Sequence, residues 1–494
     1  MKQIQNPILP LYETIADGEP HVFGNRIYLF GSHDKAGGDT YCMQDYVFWS
    51  APVDDPSDWS NKGVNYSAKQ DPLFSVKLQY MYAPDVVQGN DGRFYHYYCL
   101  SGYKGNGGYG QPISVAVCDT PDGRYEHLGF VRNPDGSPMQ TYITFDPAVL
   151  NDDGTIRLYY GTWYPFHERG RILDGVFHRV ESRLFGKSLQ EIVSYSEGIM
   201  GANHAELSDD MLTIKTAPRH ILPNRVKGTD FEHHPFFEAS SIRKIGDTYY
   251  FIYSSIHGHE LCYATSRRPD RDFVYRGTVI SNGDVGFNGR KPKDRLNTTG
   301  TNHGSIERIN GQWYVFYHRN TNKTAYSRQA CAEPITILPD GSIPQVEITS
   351  QGLNRAPLST DRTYPAAICC HLTNGKMPHQ GNGVIKKNVP YIAFVDGEPV
   401  VVATNGTRIT YKYFAFIGRE QALQLSLSSS GRGTLFVFSD DNEIGSATFT
   451  ETNGTLRIPI RSIAGAHALT LYFRGTSPIR LKTFQFERIF EQEP

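Results

Sequence analysis

Residues 236–255 read Phe-Phe-Glu-Ala-Ser-Ser-Ile-Arg-Lys-Ile-Gly-Asp-Thr-Tyr-Tyr-Phe-Ile-Tyr-Ser-Ser: a β-rich run, a glycine turn and a second β-rich run. Aligned on the turn glycine Gly246, its second half recurs four more times. The copies are Phe23-Gly-Asn-Arg-Ile-Tyr-Leu-Phe30, Asp91-Gly-Arg-Phe-Tyr-His-Tyr-Tyr98, Asp153-Gly-Thr-Ile-Arg-Leu-Tyr-Tyr160 and Asn310-Gly-Gln-Trp-Tyr-Val-Phe-Tyr317. Each pairs a turn that admits positive φ with a run of β-branched and aromatic residues, which is a hairpin signal. The turn glycines lie 68, 62, 92 and 65 residues apart, room for a four-stranded antiparallel sheet with its loops. Further strand-like runs follow at similar offsets, as in Val47-Phe-Trp-Ser50, Ser114-Val-Ala-Val-Cys118, Leu261-Cys-Tyr-Ala-Thr-Ser266 and Ala325-Tyr-Ser-Arg328. Five repeated sheets predict a five-bladed β-propeller over residues 1–345, with an internally repeated sandwich as the alternative. The wide third gap predicts large loops around residues 165–235, rich in His and Arg; long loops in compact folds tend to be functional.

The rest of the composition agrees with an all-β chain. Across 494 residues there are 31 Tyr, 27 Phe and 47 Gly, and sustained helical periodicity is nearly absent. A length near 500 predicts two domains. The formal net charge is −2 and no long basic run occurs, which argues against nucleic-acid or membrane-surface partners and for a neutral ligand. No apolar run is long enough to span a membrane. The opening Met-Lys-Gln-Ile-Gln-Asn-Pro-Ile-Leu-Pro lacks a signal-peptide core, so the expectation is a cytoplasmic protein, or a secreted one if a leader has been removed. Seven cysteines are an odd number. Cys99, Cys118 and Cys262 sit in strand-like runs as small hydrophobes, and the pair Cys369-Cys370 reads as structural, which fits a reduced setting. No Cys/His cluster has zinc spacing.

In a propeller the innermost strand of each blade lines the axis, so residues just ahead of each turn can build a site. Asp17 (in Ile15-Ala-Asp-Gly-Glu-Pro-His21), Asp146 (in Thr144-Phe-Asp-Pro-Ala-Val-Leu150) and Glu238 lie 7, 8 and 8 residues before Gly24, Gly154 and Gly246. Glu238 stands in an apolar, aromatic setting, where an unpaired carboxylate protonates rather than stay charged, and that makes a general acid. Like charges converging on one axis push one another's pKa values apart. Asp85, 7 before Gly92, shares the spacing, and His303, 8 before Gly311, holds the corresponding place in blade five.

On these residues residues 5–345 resemble glycoside hydrolase family 43, five-bladed propeller enzymes that cleave arabinose and xylose units from plant polysaccharides with inversion. The resemblance implies Asp17 as general base, Asp146 as the residue that orients and tunes the acid, and Glu238 as general acid, although Gly18 replaces the family's usual proline after the first Asp. It implies an oligosaccharide or polysaccharide substrate and no required cofactor, with a structural calcium ion, or a water in its place, beside His303 as the one metal expectation. His33 and Asp34, in Gly31-Ser-His-Asp34, are candidate sugar ligands, with turn stabilisation as the alternative for Asp34. Arg328, in Tyr326-Ser-Arg-Gln329, matches in position an arginine that reaches the family's active site and is a further candidate, with a surface ion pair as the alternative. Trp163 and Phe236 are candidate stacking platforms, each with core packing as the alternative. Inversion requires a protonated carboxyl and an ionised one about 6.5–9.5 Å apart across the scissile bond.

From about residue 346 to 494 no further copy of the blade motif occurs. Alternating runs such as Ile409-Thr-Tyr-Lys-Tyr-Phe-Ala-Phe416, Ala468-Leu-Thr-Leu-Tyr-Phe473 and Ile479-Arg-Leu-Lys-Thr-Phe-Gln-Phe486 predict a β-sandwich, jelly-roll-like, second domain. It resembles a family 6 carbohydrate-binding module, with a bracing role as the alternative. The expected activity is exo-release of terminal α-L-arabinofuranosyl units, with β-xylosidase as the alternative. Two rivals are a non-catalytic sugar-binding propeller and a retaining, invertase-type hydrolase, whose Asn-Asp-Pro-Asn setting is absent around Asp17. The Ser-x-Asp-x-Gly-x-x-Trp boxes of sialidases do not occur.

Overall fold

In the computed structural model, which describes residues 5–164, 171–195, 197–256, 260–377 and 387–489, the five turn glycines all take positive φ, between 58° and 90°. Asp153-Gly154 and Asn310-Gly311 are both left-handed and close two-residue hairpins between Asp152 and Thr155 and between Ile309 and Gln312. That is the turn whose twist matches a β-ribbon. Each turn joins the first and second strands of one sheet, and five sheets follow in chain order. Their inner strands are Ile15–Phe23, Tyr80–Gln88, Ala148–Asp152, Phe236–Ile245 and Ile306–Ile309.

Four blades have four antiparallel strands; the fifth has three. Its outer flank is completed from the other end of the chain, where the Ile8 amide donates to Ala330 O at 3.0 Å and Asn6 exchanges two hydrogen bonds with Ala332. Beginning and end of the propeller are thereby pinned together, the closure a ring of sheets needs.

The apolar side chains segregate into cores between neighbouring blades. Phe30 and Phe48 pack with Val86 and Tyr98 between blades one and two, Tyr97 and Val115 with Leu158 and Tyr160 between two and three, Tyr159 with Phe251 and Tyr253 between three and four. Ile252 and Tyr263 meet Val315 and Tyr317 between four and five, and Leu29 and Trp49 meet Phe316 and Ala332 where five returns to one. All seven cysteines are free, six of them buried, as small core side chains would be.

The wide third gap contains two helices, α1 (Arg171–Phe185) and α2 (Leu189–Ser194), between the second and third strands of blade three; residues 165–170 and 196 of the expected loop region lie outside the described residues. Ser188 caps α2 by accepting the Glu191 amide. Phe185 is fully buried and meets Tyr109 edge-on with centroids 5.7 Å apart, which fastens the insertion to the loop between the second and third strands of blade two. Among the described residues no helix is long and apolar enough to cross a membrane.

The last propeller strand ends at Ile335, and the connecting segment packs Ile343 and Ile348 into the blade four–five core. The first strand of the second domain is Leu358–Ser359, and ten strands form its curled sheet. The long strand Glu420–Ser439 pairs with Ile479–Arg488 along its first half and with Ala464–Gly475 along its second, across a bulge at Ser429/Arg432. Changing partners mid-strand folds one sheet into two facing layers around Phe414, Leu425, Leu471 and Phe484.

Candidate active site

The inner strands would present only every second side chain to the axis if they were regular. They are not. The pairing of Ile15–Phe23 slips between Ala16 and Glu19, and that of Phe236–Ile245 slips on both sides of Glu238. Asp17, Asp146 and Ala239 have positive φ, at 52°, 45° and 68°. Bulges re-aim a side chain, and left-handed backbone at a non-glycine costs roughly 1–3 kcal/mol. Here the irregularities turn Asp17, Asp146 and Glu238 from blades one, three and four into one cavity.

That cavity, about 580 Å³, lies at the mouth of the axis, a size that accepts a small ligand. Its rim draws on every blade: Tyr41 and Cys42 from one, Tyr82, Lys104 and Tyr109 from two, Phe145 and Tyr164 from three, Phe237 and Ile256 from four, Thr301 and Tyr326 from five.

Arg328 organises one side. Buried to 4% exposure, it grips Asp34 in a fork, Nε to Oδ2 at 2.8 Å and Nη2 to Oδ1 at 3.0 Å, and donates Nη1 to Asp17 Oδ1 at 2.7 Å. Tyr41 lies under the guanidinium at 5.1 Å. Burial would raise the pKa of Asp17, but the Arg328 charge, with smaller contributions from His303 and His318, holds its carboxyl below the usual range. Asp17 is therefore ionised.

Glu238 goes the other way. Burial first, and then the negative charge of Asp17, push its carboxyl up to about 8, with Arg328 only partly offsetting this. Asp146 also rises well above an ordinary aspartate, through burial and then the charges of Glu238 and Asp17. Asp146 Oδ2 accepts the Ala239 amide at 3.0 Å, which fixes the backbone beside Glu238. Asp146 and Glu238 repel each other as like charges inside one cavity, and Asp146 also holds the acid through the Ala239 backbone.

His303 reaches the same cavity, with Nδ1 3.9 Å from Asp17 Oδ1 and 3.8 Å from Asp146 Oδ2. Burial depresses it to about 4, so it is neutral. Behind it His318 Nδ1 accepts the Asp17 amide at 3.2 Å. Calcium takes six to eight oxygen ligands. At His303 the side chains offer one ring nitrogen and the nearby oxygens of Asp17 and Asp146, and Asp17 Oδ1 is already held by a guanidinium, so most of such a shell has no protein oxygen to fill it. Those residues do not fit a calcium cage.

Four expected substrate ligands lie elsewhere. His33 bonds Glu13 at 2.9 Å and the Asp45 carbonyl at 2.7 Å and is absent from the cavity wall. Asp34, with no exposed surface, serves Arg328 instead of a sugar. Trp163 is 3% exposed and donates its indole N–H to Asn224 O at 3.0 Å. Phe236 packs inward on Phe251 and Tyr253, while its neighbour Phe237 faces the cavity. Asp85 is also removed: it bonds His21 at 2.7 Å and the Val149 amide at 2.7 Å, below the site. The wall aromatics Tyr41, Tyr109, Tyr164 and Tyr326 carried no signal in a chain with so many tyrosines.

A propeller whose axial cavity combines an ionised carboxylate, a protonated one and a third that positions the acid defines an acid–base glycoside hydrolase. The chain belongs to glycosyl hydrolases family 43, whose family model matches residues 4–343. A xylosidase/arabinosidase of Thermoclostridium stercorarium is 40% identical over 507 aligned positions, covering 98% of both chains. Another, from Bacteroides ovatus, is 30% identical over 320 positions, covering 62% of this chain and 86% of its own. Among solved structures, a family 43 enzyme from Xanthomonas citri complexed with xylose is similar with a TM-score of 0.53 and 25% identity, covering 71% of this chain and 95% of that one. A β-xylosidase/α-arabinofuranosidase from a compost microbial metagenome, in complex with xylotriose and in a calcium-free form, gives 0.51 and 26%, covering 70% and 98%.

Proposed function

We propose that the protein is an inverting exo-glycosidase that removes a terminal pentose, α-L-arabinofuranosyl in the first place, from arabinoxylan- or arabinan-derived oligosaccharides. The observation that carries this is the opposed ionisation of Asp17 and Glu238 in one cavity whose rim is drawn from all five blades. A wall on every side favours one terminal sugar over a chain threading through.

Asp17, kept ionised by Arg328, takes a proton from a water as its oxygen attacks the anomeric carbon. Glu238 gives its proton to the departing glycosidic oxygen as that bond breaks. The products are the inverted sugar and the shortened alcohol, and the proton gained by Asp17 returns through solvent to Glu238. Asp146 holds the Ala239 amide and so the acid's position. Neutral His303 offers a hydrogen-bonding nitrogen to a sugar hydroxyl, and Tyr41, Tyr109 and Tyr164 give apolar faces to the ring. β-Xylosidase action is the second reading, because relatives are named for both activities and one from Xylanibacter ruminicola is named a β-xylosidase.

A panel of 4-nitrophenyl pentosides and short oligosaccharides tests the substrate. Turnover of the α-L-arabinofuranoside above the β-D-xyloside supports the first reading, the reverse order the second, and rapid internal cutting of linear arabinan overturns exo-action. Proton NMR of the first-formed anomer decides between inversion and retention.

A further inference from the structure

Outside the catalytic cavity, blade four carries a second cluster of chemistry-bearing side chains. His234 stands in the segment leading into the inner strand Phe236–Ile245, Glu260 immediately precedes the third strand Leu261–Ser266, and Cys262 lies within it. His234 Nδ1 is 2.8 Å from Glu260 Oε1 and 3.8 Å from Cys262 Sγ, and the three atoms lie within 4.8 Å of one another. About a tetrahedral zinc with bonds of roughly 2.0–2.3 Å, ligand atoms stand about 3.3–3.6 Å apart. To reach that geometry His234 Nδ1 and Glu260 Oε1 part by roughly half an ångström and Cys262 Sγ draws toward His234 by roughly a third of one.

We propose that His234, Glu260 and Cys262 form a zinc site that ties the segment ahead of the acid-bearing strand to the outer part of blade four. The donor set selects the ion: one imidazole nitrogen, one carboxylate oxygen and one sulfur suit zinc, whereas calcium takes oxygen alone. Charge balances too, because Zn²⁺ binding releases the thiol proton to solvent and leaves two anionic ligands against two positive charges.

The donors are held before any ion arrives. Tyr275 stacks on the His234 ring at 5.1 Å and 8°, and the Tyr253 hydroxyl donates to His234 O at 2.7 Å. The Ser255 amide donates to Glu260 O at 3.0 Å. Glu260 is 8% exposed and Cys262 fully buried, while the His234 side chain is 34% exposed. An ion thus has an entry path, and solvent can supply a fourth ligand. The site borders the catalytic cavity through Ile256, which lines that cavity and donates its amide to Pro235 O.

The other acidic–histidine cluster among the described residues, Glu19, His21 and Asp85, already holds the Arg243 guanidinium on Glu19 at 2.8 Å and has no sulfur. That difference gives the test its control. The full-length protein, stripped with a chelator, is titrated with Co²⁺ and Zn²⁺. One equivalent of Co²⁺ producing a thiolate-to-metal charge-transfer band, displaced by Zn²⁺, supports the site. Saturating Zn²⁺ also raises the melting temperature by about 3–8 °C, as binding to the native state alone requires. The band disappears in Cys262→Ala, and affinity falls by at least tenfold in the half-exposed His234→Gln, which keeps the core intact. Less than a tenth of an equivalent bound, no charge-transfer band, or undiminished binding in both variants overturns the proposal.

Discussion

Glu238 is held protonated by burial and by the neighbouring Asp17 charge, so its ionisation sets the alkaline edge of activity. Loss of its proton removes the acid, and kcat/KM on an oligosaccharide falls as pH rises through about 8. Asp17 is held below the ordinary carboxylate range, so it stays ionised, and the rate persists, well into acid. Glu238→Gln removes the alkaline limb and slows natural substrates by about 10²–10⁴-fold. It spares more of the rate on a 4-nitrophenyl glycoside, whose leaving group departs without a proton, while Asp17→Asn damages both. An alkaline limb that survives in Glu238→Gln assigns the titration to another group. Asp34 gives a second residue-scale prediction. The spacing of Gly31-Ser-His-Asp34 suggests a sugar ligand, but its partner Arg328 lies 294 residues away, and no local pattern encodes that pair. Asp34→Ala leaves a buried guanidinium half-paired and destabilises by about 3 kcal/mol, read as a fall in the urea midpoint. A raised KM at wild-type stability would restore Asp34 as a substrate ligand. The acids themselves were legible because all three stand 7 or 8 residues before a turn glycine.

At the scale of strands, the repeat was readable because its turn glycines need positive φ, while the bulges were not, because a slip of register leaves no compositional mark. Alternation placed both Phe236 and Phe237 in one strand, but which of them faced the cavity depended on the slips flanking Glu238. Helix α1 does carry a helical apolar spacing, at Ile172, Leu173, Val176, Phe177, Val180, Leu184 and Phe185, but it is a single such stretch inserted into a chain whose repeats are all β. The bulge makes a prediction. Ala239 sits at φ 68° with its amide on Asp146, and a β-branched residue tolerates that conformation poorly. Ala239→Val therefore costs about 1–3 kcal/mol and, by displacing Glu238, lowers kcat on oligosaccharides more than it changes KM. A rise in KM with kcat untouched would show that the strained peptide serves binding and not the acid.

Across the whole molecule, the chemistry sits in the propeller, and the curled C-terminal sheet holds the propeller from one side. Every residue lining the catalytic cavity falls at or before Arg328. The contacts between the two parts are polar and directional: Arg319 donates to Ala367 O at 2.6 Å and Cys369 O at 2.9 Å, His371 meets Asp284 at 2.7 Å, and Lys412 meets Glu347 at 2.6 Å. Asn297 bonds both Cys370 O and the Leu372 amide. Neither the sequence pattern of the propeller nor that of the sheet contains this seam, since each of its bonds joins segments tens of residues apart. Deleting residues 350–494 strips partners from Arg319, Asn297 and Asp284 together, so the truncated chain loses solubility and melts earlier. The milder Arg319→Ala in the full chain lowers the melting temperature while leaving kcat/KM on an aryl pentoside within about threefold, because no cavity residue moves. If the truncated protein is instead well folded and inert on that small substrate, the second domain completes the active site and does more than brace it.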